Sequence, residues 1–180
     1  YVVGGSGGGN SCYAYDPLTN SWALKANFGG TSRYGASAFT VGGKGYVGTG
    51  YDGTLKNDLW EYDPSADTWA AKAFYTFPCL FGTAFSIAGY GYLGTGISGN
   101  QSISRYDPVA NTWTPEPIYP GTGFYALVGF SIGGKGFIGS GDDGPHTQPV
   151  DLWQFDPTDC LGVIGGTGLP GTGCNDNDPC

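Results

Sequence analysis

The feature that most constrains the fold of this chain is a unit of 45 or 46 residues that is repeated several times. Its first signature is a glycine-rich segment of twelve residues. The three full copies are Phe39–Gly50 (FTVGGKGYVGTG), Phe85–Gly96 (FSIAGYGYLGTG) and Phe130–Gly141 (FSIGGKGFIGSG), and Tyr1–Gly5 (YVVGG) is the end of an earlier copy. A unit of this length cannot bury its own apolar face, so the copies must stack on one another.

Each unit also carries a second signature, in which an aromatic residue precedes Asp-Pro. Its aspartates are Asp16, Asp63, Asp107 and Asp156, and in three units a tryptophan follows six residues later, as Trp22, Trp69 and Trp113. Residues that recur at fixed offsets serve the unit itself. We therefore predict that the aromatic residues pack between units and that the aspartates cap turns.

The pattern within a unit predicts four short antiparallel strands. Gly-Gly-Lys-Gly separates two β-branched and aromatic runs, which is typical of a tight hairpin, and the Asp-Pro turn joins two further strands. With 35 glycines and 12 prolines, long helices are disfavoured. The predicted fold is all-β, a set of four-stranded antiparallel sheets stacked around an axis as a partial β-propeller.

These signatures resemble kelch-repeat β-propellers, and among them the galactose-oxidase-type central domain found in exported proteins of Bacteroidetes-like bacteria. The resemblance covers residues 1–160, although Ala88 replaces the first glycine of one pair and Ser104 stands where other units have tryptophan. It implies a ring of six or seven blades, of which this chain supplies about three full blades and part of another. The predicted blades are residues 1–27 (partial), 28–73, 74–118 and 119–160. The other blades are expected from the same polypeptide or, as the weaker alternative, from a second copy.

Beyond residue 160 the repeat pattern ends in a segment rich in glycine, proline and cysteine, so residues 161–180 are predicted to be a linker or the start of a following module. The chain has five cysteines. Cys12 and Cys79 stand where small buried apolar residues would fit. The disulfide candidates are Cys160, Cys174 and Cys180, with their pairing open. Clustered cysteines, few lysines and no methionine favour an extracellular or cell-surface location.

The charge of the chain disfavours some partners. Its formal net charge is −8, which repels phosphate backbones and anionic membranes, so nucleic-acid binding is not expected. Membrane insertion is not expected either, because no run of about 18 apolar residues occurs.

Three loops that differ between units are predicted to lie together at one end of the ring and to bind a protein or glycan ligand. They are residues 51–57, 97–102 and 142–150. The candidate binding residues are Tyr51, Asp52, Asn57, Asn100, Gln101, Asp142, Asp143 and His146.

No catalytic residue is predicted, because no acid, base and nucleophile can be assembled from the residues present. The resemblance to galactose oxidase implies copper with two histidine ligands, yet His146 is the only histidine. An ordinary turn is the preferred interpretation of Asp142, Asp143 and His146. No cofactor is expected except calcium, for which the weak candidate ligands are Asn175, Asp176, Asn177 and Asp178, although the glycine and distant glutamate of an EF-hand are missing.

The function favoured by the sequence is a non-catalytic binding or adhesion scaffold of an exported cell-surface protein. One alternative is a carbohydrate-active propeller enzyme whose catalytic residues lie in blades outside this sequence. A second alternative is a structural subunit of an extracellular assembly.

Overall fold

The computed structural model of the chain describes residues 1–7, 9–98, 101–121, 125–142 and 151–156. These residues form fourteen β-strands, and they contain no helix. The strands are β1 (Val2–Val3), β2 (Cys12–Asp16), β3 (Ser21–Lys25), β4 (Ser37–Val41), β5 (Lys44–Gly48), β6 (Leu59–Asp63), β7 (Thr68–Lys72), β8 (Thr83–Ile87), β9 (Tyr90–Gly94), β10 (Ile103–Asp107), β11 (Thr112–Glu116), β12 (Val128–Ile132), β13 (Lys135–Gly139) and β14 (Leu152–Phe155).

The strands form four antiparallel sheets in which neighbours along the chain are also neighbours in space. The first sheet is β1-β2-β3, the second β4-β5-β6-β7, the third β8-β9-β10-β11 and the fourth β12-β13-β14. The predicted all-β fold of antiparallel propeller-like sheets is therefore confirmed. Two sheets have all four strands, whereas the fourth sheet has three within the described residues.

The sheets are stacked through their first strands. Strand β8 lies against β4 on one side and against β12 on the other, so in the second, third and fourth sheets the first strand is innermost and the later strands lead outward. In β4 the side chains alternate between buried and exposed, with Ser37, Phe39 and Val41 buried. This alternation is the period of a strand with one apolar face.

One ring contact recurs at each junction between sheets. It joins an aromatic residue of one sheet to the aromatic residue that precedes Asp-Pro in the next sheet. The pairs and their centroid distances are Tyr1–Tyr62 at 5.3 Å, Tyr46–Tyr106 at 5.5 Å and Tyr92–Phe155 at 5.2 Å. The repeated aromatic residues therefore pack between units, as predicted.

The repeated aspartates also have their predicted role. Asp63 Oδ1 accepts the backbone N–H of Ser65 at 2.9 Å, and Asp107 Oδ1 accepts that of Val109 at 2.8 Å. These bonds close the turn between the third and fourth strands of a unit.

Cys12 and Cys79 are free and completely buried, which agrees with their prediction as small buried residues. Burial raises the pKa of the Cys79 thiol to about 11. The disulfide candidates Cys160, Cys174 and Cys180 lie outside the described residues.

In the third sheet, the glycine at the second residue of the second strand makes room for a phenylalanine of the neighbouring sheet. A Cβ atom on Gly91 would overlap the ring of Phe39. Gly91→Ala is therefore expected to lower the free energy of unfolding by about 1–3 kcal/mol, because overpacking a well-packed interface displaces its side chains. Urea denaturation followed by tryptophan fluorescence measures the change.

The matched control is Gly45→Ala, at the same position of the preceding unit. There a Cβ atom would meet only Tyr62 Cβ, at 3.9 Å. The expected change is within about 0.5 kcal/mol. Equal losses of unfolding free energy for the two variants would contradict the conclusion that Gly91 leaves room for the Phe39 ring.

Candidate functional site

The candidate site lies at the end of the sheets that carries the long connections, which we call the loop face. In the second sheet, Ser37 pairs with Gly48, Gly48 with Leu59 and Leu59 with Lys72, so these residues share one end of the sheet. Residues 49–58 and 73–82 leave from that end. The glycine hairpins and the Asp-Pro turns occupy the other end.

On the loop face, three of the units form an isolated bridge next to their innermost strand. Tyr34 and Tyr51 exchange two backbone hydrogen bonds of 3.1 and 3.0 Å. The corresponding bridges are Leu80–Ile97 in the next unit and Tyr125–Asp142 in the one after. The predicted residues Tyr51 and Asp142 thus lie at equivalent places beside the inner strands.

Backbone hydrogen bonds connect these bridges from unit to unit. The N–H of Phe81 donates to the Gly35 carbonyl, and the N–H of Ala126 donates to the Phe81 carbonyl, both at 2.9 Å. Each of the three residues has a positive φ, of 63° at Gly35, 57° at Phe81 and 55° at Ala126. The chain of bonds therefore fixes the same left-handed conformation in three successive units.

Three aromatic side chains gather at this position, and we call them the axial aromatic cluster: Tyr34, Tyr51 and Phe81. The Tyr34 ring lies 5.7 Å from that of Tyr51 and 6.1 Å from that of Phe81. Tyr34 and Phe81 are each 39% exposed, so both rings offer surface to solvent. Tyr51 is half-buried.

A cavity of about 250 Å³ opens beside the cluster. Tyr34 and Tyr51 form its aromatic side, and Ser6, Ser32 and Asp52 supply polar groups. Gly5, Gly7, Gly53 and Arg33 complete the lining. The cavity therefore combines flat apolar surface with hydrogen-bonding groups, as small-molecule sites do.

Asp52 is held in its charged form at the rim of the cavity. Hydrogen bonds from Thr31, at 2.5 Å, and from Lys56, at 2.9 Å, keep the pKa of Asp52 well below its usual range. Its other oxygen accepts the N–H and the hydroxyl of Thr54. The carboxylate thus orders the loop at residues 51–57 while one edge of it lines the cavity.

Arg33 turns inward beneath the cluster and is only 5% exposed. Its guanidinium makes two hydrogen bonds to the carboxylate of Asp58, and it also donates to the Thr49 carbonyl at 3.1 Å. Burial raises the pKa of Asp58, but the hydrogen bonds from Arg33 and Trp60 outweigh that effect and hold the pKa below its usual value. This pair fixes the inner part of the loop face.

Two of the predicted binding residues, Asn57 and Gln101, hold neighbouring connections in place. The Asn57 side-chain amide donates to the Tyr75 carbonyl at 3.0 Å, and the Asn57 backbone carbonyl accepts the Tyr75 N–H at 2.7 Å. Gln101 makes the equivalent bonds to Gly121 and Tyr119. Their side-chain donors are therefore engaged within the fold.

The other predicted residues lie outside the described part of the chain. They are Asn100, Asp143, His146 and the calcium candidates Asn175, Asp176, Asn177 and Asp178. Within the described ranges, no group of three or more histidine, cysteine, aspartate and glutamate side chains could hold a metal ion. The described residues also include no helix with the length and hydropathy needed to cross a bilayer.

The sequence interpretation missed Tyr34 and Phe81. Both precede the first strand of a unit, a place where the units differ: Tyr34-Gly35, Leu80-Phe81 and Tyr125-Ala126 occupy it in turn. That variation beside the invariant Phe39, Phe85 and Phe130 was the available signal. Only the bridge to the loop that follows the second strand places these residues with Tyr51.

Comparison with known proteins supports the fold alone. No protein-family model matches the chain, and no curated protein matches it. Among solved structures, one titled "Structure of YjhT" aligns with a TM-score of 0.75 at 17% sequence identity, covering 85% of this chain. The chain spans 58% of the length of that protein.

Proposed function

We propose that this chain is part of a non-catalytic binding module that takes up a protein or glycan ligand at its loop face. The observation that carries the proposal is the axial aromatic cluster, in which the rings of Tyr34 and Phe81 are each 39% exposed and Tyr34 and Tyr51 line a cavity of about 250 Å³. Exposed aromatic rings with polar neighbours are the usual anchors of binding surfaces.

The repeated residues hold the fold together, whereas the cluster stands at positions that differ between units, and this contrast supports the proposal. At the inner junctions the repeated aromatic residues, such as Tyr106 and Trp113, pack between sheets, and Asn57 and Gln101 hold neighbouring connections in place. The cluster belongs to positions that differ from unit to unit, so it can be specialised without disturbing the fold.

The kelch-type assignment and an extracellular or cell-surface location belong to the same proposal. The Gly-Gly pairs, the Asp-Pro signature and the tryptophan six residues beyond it favour the kelch type. The clustered cysteines near the end of the sequence, the few lysines and the absence of methionine favour export.

Further blades are proposed to cover both outer sheets. On the first sheet Tyr13, Trp22 and Leu24 are exposed, and on the fourth sheet Val128 and Ile132 are exposed. The equivalent residues of the inner junctions, such as Val41 and Ile87, are buried against a neighbouring sheet. Covering sheets of the same repeat would remove this apolar surface from water.

Binding at the loop face is tested with arrays of defined glycans and defined extracellular proteins. Ligands retained by the unaltered chain are expected to bind Tyr34→Ala at least tenfold more weakly, because the central ring of the cluster is lost. Surface plasmon resonance measures each affinity.

The control is Phe74→Ala, which removes a 65% exposed ring that follows the outer strand β7. It is expected to leave binding unchanged. An equal loss for both variants, or no loss for Tyr34→Ala, would refute binding at the axial aromatic cluster.

A further inference from the structure

The first sheet differs from the others at its inner edge. Tyr1 stands in the repeat where Tyr46 and Tyr92 stand in the next two units, so β1, β2 and β3 correspond to the second, third and fourth strands of a unit. Within the described residues, no strand pairs with β1 on the side away from β2. An edge of this kind presents backbone N–H and C=O groups that can pair with an added strand.

In the other three sheets, the aromatic residue of the second strand stacks on a phenylalanine of the first strand. The pairs are Phe39–Tyr46 at 5.0 Å, Phe85–Tyr92 at 5.3 Å and Phe130–Phe137 at 5.2 Å, with ring planes within 16° of parallel. Tyr46 and Tyr92 are 2% and 0% exposed, whereas Tyr1 is 65% exposed. Tyr1 is therefore the same stacking position without the ring that covers it in the other sheets.

A glycine of the following sheet forms the other side of each phenylalanine position. A Cβ atom on Gly91 would overlap the ring of Phe39, and Gly136 has the same relation to the phenylalanine of the third sheet. Gly45 is the equivalent glycine of the second sheet, yet a Cβ atom there would meet only Tyr62 Cβ, at 3.9 Å. Gly45 therefore has the place of a phenylalanine receptor, with open space where the ring lies at the other junctions.

A single cavity joins these groups, and we call it the β1 groove. It has a volume of about 670 Å³, and Tyr1, Val3, Gly45 and Tyr62 all line it. It also follows β4 from Ala38 onward into the glycine hairpin. The groove thus runs along a strand, which suits an extended occupant better than a compact one.

The side chains of β4 that face the groove are small and uncovered. Ala38 and Thr40 are exposed, whereas the equivalent Ala84 and Ser86 of β8 are half-buried. Ala84 packs against the apolar cluster that contains the phenylalanine and valine of β4. The groove therefore continues an interface that already exists between the second and third sheets, and that interface has a strand as its occupant.

We propose that the β1 groove binds an extended peptide segment with the pattern of the repeat's first strand, in which valine or isoleucine stands two residues after a phenylalanine. The segment adds to β1 as an antiparallel strand, as β4 adds to β5. Its phenylalanine stacks on Tyr1 and lies against Gly45 and Tyr62. This inference does not depend on ligand binding at the loop face.

The test uses the 180-residue chain and an acetylated, amidated peptide with the sequence of residues 36–43, ASAFTVGG. Titration calorimetry is expected to show saturable binding of one peptide per chain. A peptide with alanine in place of phenylalanine is expected to bind about tenfold more weakly or worse, because the buried ring is lost. Alanine in place of threonine, which faces solvent in this arrangement, is expected to change the affinity about twofold or less. Absence of binding, or equal losses for the two altered peptides, would overturn the proposal.

Two protein variants locate the bound peptide. Gly45→Leu places a side chain where the phenylalanine ring is expected, so it should abolish peptide binding while the melting temperature of the free chain stays unchanged. Tyr1→Ala removes a 65% exposed ring and is expected to weaken binding about tenfold. It decides the question if Gly45→Leu does not fold. Full affinity in Tyr1→Ala, or in a folded Gly45→Leu, would show that the peptide binds elsewhere and that the proposal is wrong.

A second copy of the chain is the competing occupant, and sedimentation velocity separates the two. The chain is expected to remain monomeric without peptide. Self-association that Gly45→Leu abolishes would assign the groove to a second copy and overturn the proposal. The loop-face variant Tyr34→Ala is expected to bind the peptide normally, so failure of peptide binding leaves the proposed function intact.

Discussion

Replacing Tyr106 by alanine is expected to lower the free energy of unfolding by about 3–5 kcal/mol, the range for truncating a large buried aromatic residue. Tyr106 is completely buried between the second and third sheets. Its ring contacts those of Tyr46 at 5.5 Å and Trp113 at 5.0 Å. Removing the ring leaves a cavity at the centre of the junction between the two sheets.

The loss also includes a hydrogen bond. The Tyr106 hydroxyl donates to Asn111 Oδ1 at 2.8 Å. Asn111 Oδ1 also accepts the N–H of Ala73, which follows the last strand of the preceding sheet, at 2.9 Å. For a chain of this size the expected fall in melting temperature is about 6–20 °C. Differential scanning calorimetry and urea denaturation measure the two quantities.

Tyr15 offers a matched control, because it occupies the same position of the first unit. It makes the equivalent hydrogen bond to Asn20 at 2.9 Å but is 43% exposed. Tyr15→Ala is expected to cost about 1 kcal/mol or less. If the two variants lose the same amount, burial at the junction is not what makes the repeated tyrosine important.

Replacing Arg33 by leucine is expected to cost about 3–5 kcal/mol at neutral pH, because it leaves the Asp58 carboxylate without its partner in a largely buried site. The side chains of Arg33 and Asp58 are 3% and 20% exposed. Trp60 Nε1 would remain as a donor to Asp58, at 2.9 Å, which is one neutral donor in place of a charged one.

The pH dependence of that loss has a definite sign. In the unaltered chain the folded pKa of Asp58 lies below its usual value, so the pair stabilises above about pH 4 and loses this effect as the pH falls further. In Arg33→Leu burial still acts on Asp58 but the hydrogen bonds and charge of Arg33 are gone, so the folded pKa of Asp58 is higher than in the unaltered chain, and the variant loses less stability as the pH falls towards 4. The difference between the two proteins is therefore largest at neutral pH and shrinks in acid.

Urea denaturation of the unaltered chain and of Arg33→Leu at pH 7 and pH 4 measures the difference between their free energies of unfolding. The control is Lys135→Gln, which removes a pair with Asp156 at 3.9 Å whose side chains are 37% and 35% exposed. An exposed pair of this kind is worth about 0–1 kcal/mol. A difference for Arg33→Leu that stays constant between the two pH values would show that the loss comes from packing rather than from charge.

The parts of this protein that could be read from its sequence are those that repeat. Gly-Gly hairpins, Asp-Pro turns and the aromatic residues before them each follow from local chemistry: positive φ at glycine, capping by a short carboxylate and burial of a large ring. Because the same residues recur at fixed spacing in several units, the all-β class, the order of the strands and the packing role of Tyr62 and Tyr106 were predictable.

The candidate site could be read only in part. Tyr51 and Asp52 lie at the cavity and were predicted, since they stand in a loop that varies between units. Asn57 and Gln101 stand in the same kind of loop, yet they hold the backbone of the next connection. In the sequence, a polar residue of a variable loop looks the same whether it lines the cavity or holds the backbone of a neighbouring connection.

The order of residues along the chain was enough to predict the repeated sheets. The candidate site, by contrast, depends on which loops the stacking of the sheets brings together. Tyr34 and Tyr51 become neighbours through a bridge within one unit, but Phe81 reaches Tyr34 only because its backbone bonds to Gly35 across a sheet junction. Local propensity cannot express a contact between residues 47 positions apart, and it argues against Phe81 in a left-handed conformation. The stacking of whole sheets supplies both the contact and the strain, so the sequence alone determined the scaffold and the tertiary structure decided which side chains meet at the loop face.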